Sequence, residues 1–95
     1  MEVRLTAAFS RWLGELRDHR AQDRIYARLR RFELGNLGDT KSVGEGVSEA
    51  RIDYEPGYRL YFAKRGSVIL ILLCGGTKQT QRADIEAARN MAKEL

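Results

Sequence analysis

The sequence predicts a single α+β domain, spanning residues 1–95, in which a helix hairpin packs on one face of a mainly antiparallel sheet. Three observations lead to this fold class. Apolar residues recur at helical spacing in the first third of the chain, they alternate with a period of two after Gly46, and they return to helical spacing in the last segment. The predicted order of elements is therefore β-α-α-β-β-β-α.

The N-terminal half is predicted to contain a short strand and two helices. Residues 2–6, EVRLT, alternate as a strand does, and Thr6 is a suitable N-cap for the helix that follows. Aromatic and leucine side chains recur at helical spacing through residues 7–17, and a second amphipathic segment, residues 21–35, ends at a glycine. The break at residues 18–20 predicts an antiparallel helix hairpin.

The second half begins with a predicted loop and three predicted strands. Residues 35–46 are rich in glycine and are expected to form turns, because their spacing does not match that of a phosphate-binding loop. Residues 47–54 and 58–63 alternate as strands and are joined by a turn around Pro56. The apolar run VILILLC, residues 68–74, should be the central strand and should pair with the N-terminal strand.

The junction between this apolar run and the last helix reads GGTKQTQ. Gly75 and Gly76 are expected to adopt backbone angles that other residues resist. Thr80 is a candidate N-cap for a helix over residues 80–95. Lys78 should therefore lie at the edge of the sheet, where loops on a rigid scaffold position functional side chains.

Composition and charge limit the classes of function. The 95 residues carry a net charge of +4, and 13 of the 17 cationic side chains are arginines. Arginine binds phosphate and carboxylate in a bidentate manner, so the charge indicates a nucleic acid or an acidic protein as partner, although a solvated basic surface would have the same composition. No segment has the length of a membrane span, and the N-terminus lacks the pattern of a signal peptide. Together with a single cysteine, this predicts a cytoplasmic protein that does not bind membranes.

Metal ligation and histidine-assisted nucleophilic catalysis are not expected. The chain has one histidine, His19, and one cysteine, Cys74, and they lie far apart in sequence. His19 falls in the break between the two helices and should be exposed, whereas Cys74 ends an apolar strand and should be a small buried side chain. No metal or other cofactor is therefore predicted.

The strongest candidate for a functional site is a group of polar side chains on the predicted hairpin. If its strands pair around Pro56, Arg51 and Arg59 lie near each other on one sheet face, with Glu49 close enough to act as a counter-charge. An exposed ladder of ion pairs would have the same spacing; the alternative is a platform for an anionic ligand, with Tyr61 available for base stacking. The sheet face that carries these residues is expected to be only partly covered.

The second predicted helix carries another array of arginines at helical spacing. These residues are Arg20, Arg24, Arg28 and Arg31. Acidic residues nearby partly offset their charge, so a solvated helix face is the simpler explanation for this array.

Two segments of the chain resemble the RelE/ParE toxin superfamily, within the HigB-like branch whose members are called addiction module killer proteins. Residues 28–62 contain a G-N-x-G-D loop, a K-x-V-G-x-G-V-x-E-x-R-I strand and the hairpin EPGYRLYF. Residues 72–88 contain the junction L-L-x-G-G-x-K-x-T-Q and the start of the following helix. The resemblance covers nearly the whole chain and implies a RelE/ParE-like fold.

The resemblance implies the toxin of a bacterial type II toxin–antitoxin system. Such toxins are held inactive by a cognate antitoxin, which for this branch is usually a helix-turn-helix DNA-binding protein. RelE- and HigB-like members enter the ribosomal A site and cleave mRNA during translation, whereas ParE-like members inhibit DNA gyrase without being nucleases. No histidine or tyrosine follows the last strand of this chain, so both alternatives stay open.

The resemblance also implies roles for individual residues. RelE-like enzymes use Lys, Arg and Tyr side chains on the open sheet face and near the C-terminus. The matching catalytic residues here are Arg51, Arg59 and Lys78. The two arginines would bind phosphate, and Lys78 would contact phosphate or transfer a proton. The matching RNA-binding residues are Lys41, Tyr61, Lys64 and Gln81, with Tyr61 as the stacking group and Lys41 contacting ribosomal RNA from the loop.

Overall fold

A five-stranded mixed sheet and three α-helices form the fold in the computed structural model, which describes residues 1–95. The elements in chain order are β1 (Glu2–Leu5), α1 (Ala7–Gly14), α2 (His19–Glu33), β2 (Thr40–Gly44), β3 (Val47–Ile52), β4 (Tyr58–Arg65), β5 (Ile69–Thr77) and α3 (Gln81–Lys93), with one 3₁₀ turn at Lys78–Thr80. The strand order is β1-β5-β4-β3-β2. β1 runs parallel to β5 and the other neighbours are antiparallel, which confirms the predicted α+β class and the predicted pairing of the first strand.

One strand was absent from the predicted order. β2 lies within the segment expected to be a glycine-rich loop and pairs with β3 at the edge of the sheet, so the order is β-α-α-β-β-β-β-α. The connecting turn uses positive φ angles at Gly44, Glu45 and Gly46. β2 has no fully buried side chain, so its sequence shows no apolar alternation. Main-chain pairing, which leaves no pattern in the side chains, forms this strand.

Helices α1 and α2 cover one face of the sheet. Thr6 caps α1 as predicted, since its Oγ1 accepts a hydrogen bond from the Phe9 amide at 3.1 Å. Asp18 caps α2 by accepting from the amides of Arg20 at 3.0 Å and Ala21 at 3.3 Å. The main core lies between these helices and the sheet, and includes the aromatic pair Phe32–Phe62 with ring centroids 5.4 Å apart.

Helix α3 covers part of the other face, as was expected. A second apolar cluster lies beneath it, formed by Val47, Tyr61, Ala63, Leu73 and Ala88. The cover is partial because α3 lies mainly over β4 and β5, and the side chain of Arg51 at one end of this face remains half-exposed. None of the helices combines the length and the apolar character needed to span a bilayer.

The two glycines at the end of β5 permit close packing on opposite faces of the sheet. A Cβ on Gly75 would clash with the ring of Trp12, and a Cβ on Gly76 would clash with the carboxylate of Asp84 at the start of α3. Neither glycine has a positive φ, so the expectation of unusual backbone angles was wrong. Their function is to let α1 and α3 approach the strand closely.

Candidate anion-binding cleft

The three predicted catalytic residues line one cleft of about 390 Å³. The cleft lies where β3 ends, β4 begins and β5 passes into the 3₁₀ turn. Arg51 and Arg59 are direct partners in the antiparallel register of β3 and β4, and Lys78 follows Thr77, the partner of Tyr58. The complete lining is Asp39, Arg51, Ile52, Asp53, Glu55, Pro56, Gly57, Tyr58, Arg59 and Lys78. The structure therefore brings these three cations together in one cleft, and their catalytic role stays a prediction.

The carbonyl of Gly57 ties two of these residues together. It accepts hydrogen bonds from the backbone amide of Lys78 at 2.8 Å and from Arg59 Nη1 at 3.2 Å. Gly57 adopts a φ of 90°, in the left-handed region that favours glycine. The hairpin turn thus fixes the junction before α3 against the start of β4.

A buried carboxylate, Glu49, lies next to the cleft and holds both of its arginines. Glu49 has no solvent exposure; its Oε1 accepts from Arg51 Nε at 3.1 Å and its Oε2 accepts from Gln81 Nε2 at 2.8 Å. Arg59 Nε lies 3.7 Å from Oε2. Sequence reasoning named Glu49 only as a counter-charge, because alternation along β3 does not reveal that α3 closes over it.

Glu49 is ionised at neutral pH. Burial by itself raises the pKa of its carboxyl, but hydrogen bonds from Gln81 and Arg51 and the charges of Arg59 and Lys41 outweigh this effect and leave the pKa below its ordinary value. The resulting carboxylate compensates Arg59, which is itself only 7% exposed. The cleft therefore contains one buried guanidinium, that of Arg59, and one partly exposed guanidinium, that of Arg51, whose side chain is 47% exposed.

The four predicted RNA-binding residues lie outside the lining of the cleft. Lys41 is exposed on β2 and not on a loop, and it pairs in register with Glu49. Gln81 is half-buried and occupied by its hydrogen bond to Glu49. Lys64 is exposed near the far end of β4, where it pairs with Leu70. The structure brings Lys41 and Gln81 near the arginines but leaves Lys64 at a distance.

Tyr61 is buried and cannot stack on a base in this structure. Its ring has no solvent exposure and packs in the cluster beneath α3. Burial, followed by the negative charge of Glu49, raises the pKa of its phenol far above the ordinary value, and the hydroxyl has no hydrogen-bond partner. The stacking role predicted for Tyr61 was therefore wrong, because α3 covers the part of the sheet face on which Tyr61 lies.

Three carboxylates also line the cleft, and sequence reasoning did not bring them together. Asp39 precedes β2, and Asp53 and Glu55 lie in the β3–β4 connection. The G-N-x-G-D motif contains Asp39, but nothing local in the sequence indicates that the loop folds back toward the hairpin. Cations and carboxylates are equal in number, so the cleft combines groups that bind phosphate with groups that accept protons.

The lone histidine and the lone cysteine play no part in the cleft. His19 is the first residue of α2 and is exposed as predicted, although it lies in the helix and not in the break. Burial raises the pKa of the Cys74 thiol to about 11, with a further contribution from the charge of Asp84, so it stays protonated. No group of three or more His, Cys, Asp or Glu side chains is arranged to hold a metal ion.

Comparison with known proteins relates the chain to a protein of Haemophilus influenzae described only as "Uncharacterized protein". The two sequences are 45% identical over 95 residues, which cover the whole of this chain and 96% of the relative. The chain therefore belongs to the same family as that protein. No family model matches the chain, and no significant match was found among solved structures.

Proposed function

We propose that this protein is the toxin of a bacterial type II toxin–antitoxin system, with a RelE/ParE-like fold, and that it cleaves mRNA on the ribosome in the cytoplasm. One observation supports this proposal above the others. Arg51, Arg59 and Lys78 line the same cleft, and a buried carboxylate, Glu49, holds the two arginines in place. Three cations around one cavity match the charge that develops on a phosphate during cleavage.

The arginines suit a phosphodiester because each guanidinium presents parallel N–H donors to two oxygens. Arg59 is buried, so its charge acts in a medium of low dielectric constant and needs little reorganisation during the reaction. Arg51 is half-exposed, so its terminal nitrogens are accessible to the substrate while its Nε is bonded to Glu49. In the proposed complex both arginines bind the non-bridging oxygens of the scissile phosphate.

The proposed reaction is an intramolecular transesterification of RNA. The ribose 2′-oxygen forms a bond to the adjacent phosphorus while the bond from phosphorus to the 5′-oxygen breaks. A carboxylate of the cleft, from Asp39, Asp53 or Glu55, accepts the proton of the 2′-hydroxyl, and the ammonium group of Lys78 gives a proton to the departing 5′-oxygen. The products are a 2′,3′-cyclic phosphate and a 5′-hydroxyl end.

The charge balance of the cleft explains why the ribosome would be needed. Its three cations and three carboxylates give no net formal charge, so free RNA is only weakly attracted to this cavity. The ribosome would supply the missing binding energy by presenting one mRNA phosphate in a fixed orientation. In this proposal the partners are the ribosome, mRNA and a cognate helix-turn-helix antitoxin whose acidic segments suit the basic surface.

A ParE-like inhibitor of DNA gyrase is the second candidate function. It is favoured by the chemistry missing from the cleft, whose lining contains no histidine and whose one tyrosine, Tyr58, is buried. A protein that only binds its target needs no proton-transfer group. Inhibition of gyrase supercoiling together with intact mRNA would select this function.

The test of the endonuclease proposal is mRNA cleavage in a reconstituted translation reaction with and without ribosomes. Lys78→Gln should reduce cleavage strongly, because it removes an exposed cation from the cleft without disturbing the core. Lys93→Gln is the matched control, since it removes the same charge from an exposed position at the end of α3, outside the lining of the cleft. Primer extension and end-labelling should detect new 5′-hydroxyl ends only with ribosomes. Intact mRNA in the presence of arrested growth would reject the proposal, and equal loss in both variants would remove Lys78 from the site.

A further inference from the structure

A second cavity of about 290 Å³ lies between α2 and the end of β3 and continues the cleft. We call it the arginine groove; its lining is Arg24, Ala27, Arg28, Arg31, Asp39, Arg51, Ile52 and Asp53. Four of these residues, Asp39, Arg51, Ile52 and Asp53, also line the cleft. The two cavities therefore share a wall, and an extended ligand that occupies one can continue into the other.

The arginine groove is the more positive of the two cavities. Four arginines and two aspartates line it, whereas cations and carboxylates are equal in number in the cleft. Arg24 and Arg31 are exposed on α2, so their guanidinium groups are accessible to a ligand. An anion is therefore attracted to this groove more strongly than to the cleft itself.

Arg28 gives the groove a buried positive charge that no carboxylate pairs with. Only 8% of its surface is exposed, and its guanidinium donates to the carbonyls of Arg51 at 2.7 Å, Asp39 at 2.9 Å and Leu37 at 3.2 Å. Its Nε is buried without a hydrogen-bond partner. Burial, and then the neighbouring charge of Arg31, lower the pKa of Arg28. The charge of Asp39 opposes this effect only in part, and an anion bound nearby would compensate the buried guanidinium further.

An aromatic side chain supports the rim of the groove. The guanidinium of Arg24 lies over the ring of Tyr54, 4.7 Å from its centroid, and the Tyr54 hydroxyl donates to Asp18 Oδ2 at 2.9 Å. Stacking on Tyr54 restricts the side chain of Arg24 before a ligand binds. Ligand binding therefore costs little additional side-chain entropy at Arg24. A flat guanidinium of this kind can bind a phosphate at its edge or a base on its face.

We infer that the arginine groove binds a phosphate of single-stranded RNA next to the phosphate in the cleft, an inference that rests on the proposed function. The lining matches a nucleotide better than an acidic peptide. Arginines bind the phosphate, while the carboxylates of Asp39 and Asp53 can accept hydrogen bonds from base N–H groups. The acidic side chains of such a peptide carry no donor of this kind.

The test compares Arg31→Gln with Arg30→Gln in the full chain. Both variants remove one exposed arginine from α2, but Arg30 lies outside the groove and forms only an exposed ion pair with Glu33. The probe is a hexanucleotide with 2′-O-methyl riboses, which cannot undergo the cleavage reaction, and binding is followed by fluorescence anisotropy at several salt concentrations. Thermal unfolding of each variant checks that the fold is intact.

Arg31→Gln should weaken RNA binding about tenfold, which corresponds to the loss of about 1.4 kcal/mol from one exposed charge-assisted hydrogen bond. It should also reduce the slope of log K against log salt by about 0.7, the value expected when one fewer phosphate of a single strand is neutralised. Arg30→Gln should leave both quantities close to wild type. Equal effects of the two variants, or no measurable binding of the probe by the wild type, would overturn the inference.

Two further outcomes separate this inference from the proposed function. If the wild type cleaves mRNA but Arg31→Gln binds the probe as Arg30→Gln does, the groove is not a phosphate site although the endonuclease proposal stands. If Arg31→Gln selectively loses RNA binding but the wild type cleaves nothing on the ribosome, the groove binds RNA and the endonuclease proposal fails. A glutamate decapeptide that binds as tightly and shows the same dependence on Arg31 would instead assign the groove to an acidic protein.

Discussion

Replacing Glu49 with glutamine tests whether its buried charge organises the cleft. The side chain has no solvent exposure, and its oxygens accept hydrogen bonds from Arg51 and Gln81. Arg59 Nε lies 3.7 Å from the same carboxylate. Glutamine has nearly the same shape but no charge, and its amide nitrogen would face one of these donors. The substitution therefore removes the charge while it leaves the packing nearly unchanged.

The expected loss in the free energy of unfolding is about 3 kcal/mol. Removing one member of a buried ion pair costs about 3–5 kcal/mol, because the remaining charge is left uncompensated. The lower end applies here because the side chain of Arg51 is 47% exposed and can turn toward water, whereas that of Arg59 is 9% exposed and stays buried. In a domain of this size, ~3 kcal/mol corresponds to a decrease of about 12–24 °C in Tm.

Urea unfolding followed by the fluorescence of Trp12, the single tryptophan, measures this loss. Glu45→Gln is the matched control. Glu45 pairs with Arg89 and Lys93, but it is half-exposed, so its substitution should change the free energy of unfolding by at most about 0.5 kcal/mol. Equal stability of the Glu49 and Glu45 variants would refute the reasoning, because the buried carboxylate would then compensate no charge.

Three other predictions concern pH, packing and the buried phenol. The folded chain lowers the pKa of Glu49 from 4.5, and the unfolded chain therefore takes up the proton first. Wild-type stability should fall as the pH drops below about that value, and urea titrations of Glu49→Gln should lack this part of the fall. Gly75→Ala should cost about 1–3 kcal/mol in the same assay, because its methyl group would meet the ring of Trp12. Gly14→Ala, whose Cβ has nothing within 4 Å, should be neutral or stabilising by up to about 1 kcal/mol, and equal losses would contradict the packing argument. Tyr61→Phe removes a buried hydroxyl that has no hydrogen-bond partner. The free energy of unfolding should therefore change by less than about 1 kcal/mol, and mRNA cleavage should persist. Loss of cleavage in a variant of unchanged stability would instead indicate a direct role for the phenol.

Local patterns in the sequence were sufficient for the fold class and for the centre of the candidate site. The period-two alternation and the turn at Pro56 predict a hairpin, and the register of that hairpin places Arg51 opposite Arg59. The same logic places Lys78 at the end of the apolar strand. Register and turns depend on neighbouring residues, so a single sequence contains the information that they require.

These local patterns did not predict the edge strand β2, the full lining of the cleft or the arginine groove. β2 contains a glycine and no fully buried side chain, and it forms because β3 offers an unpaired edge. Asp39 joins the cleft only because the loop before β2 returns to the hairpin. Arg28 lies in a regular helical array of arginines, where nothing distinguishes it from the exposed members until the loop carbonyls close around it.

The sequence by itself therefore determined an α+β chain with a cationic hairpin and a cationic junction, because helical and strand periods, caps and turns are local properties. Only the tertiary structure decided which of these side chains are accessible. Helix α3 packs over the sheet and buries Tyr61. Glu49, which the sequence predicts as a surface counter-charge, is a buried carboxylate that pairs with two arginines. Burial depends on elements distant in sequence, and burial sets both the strength of a charge and its access to a ligand.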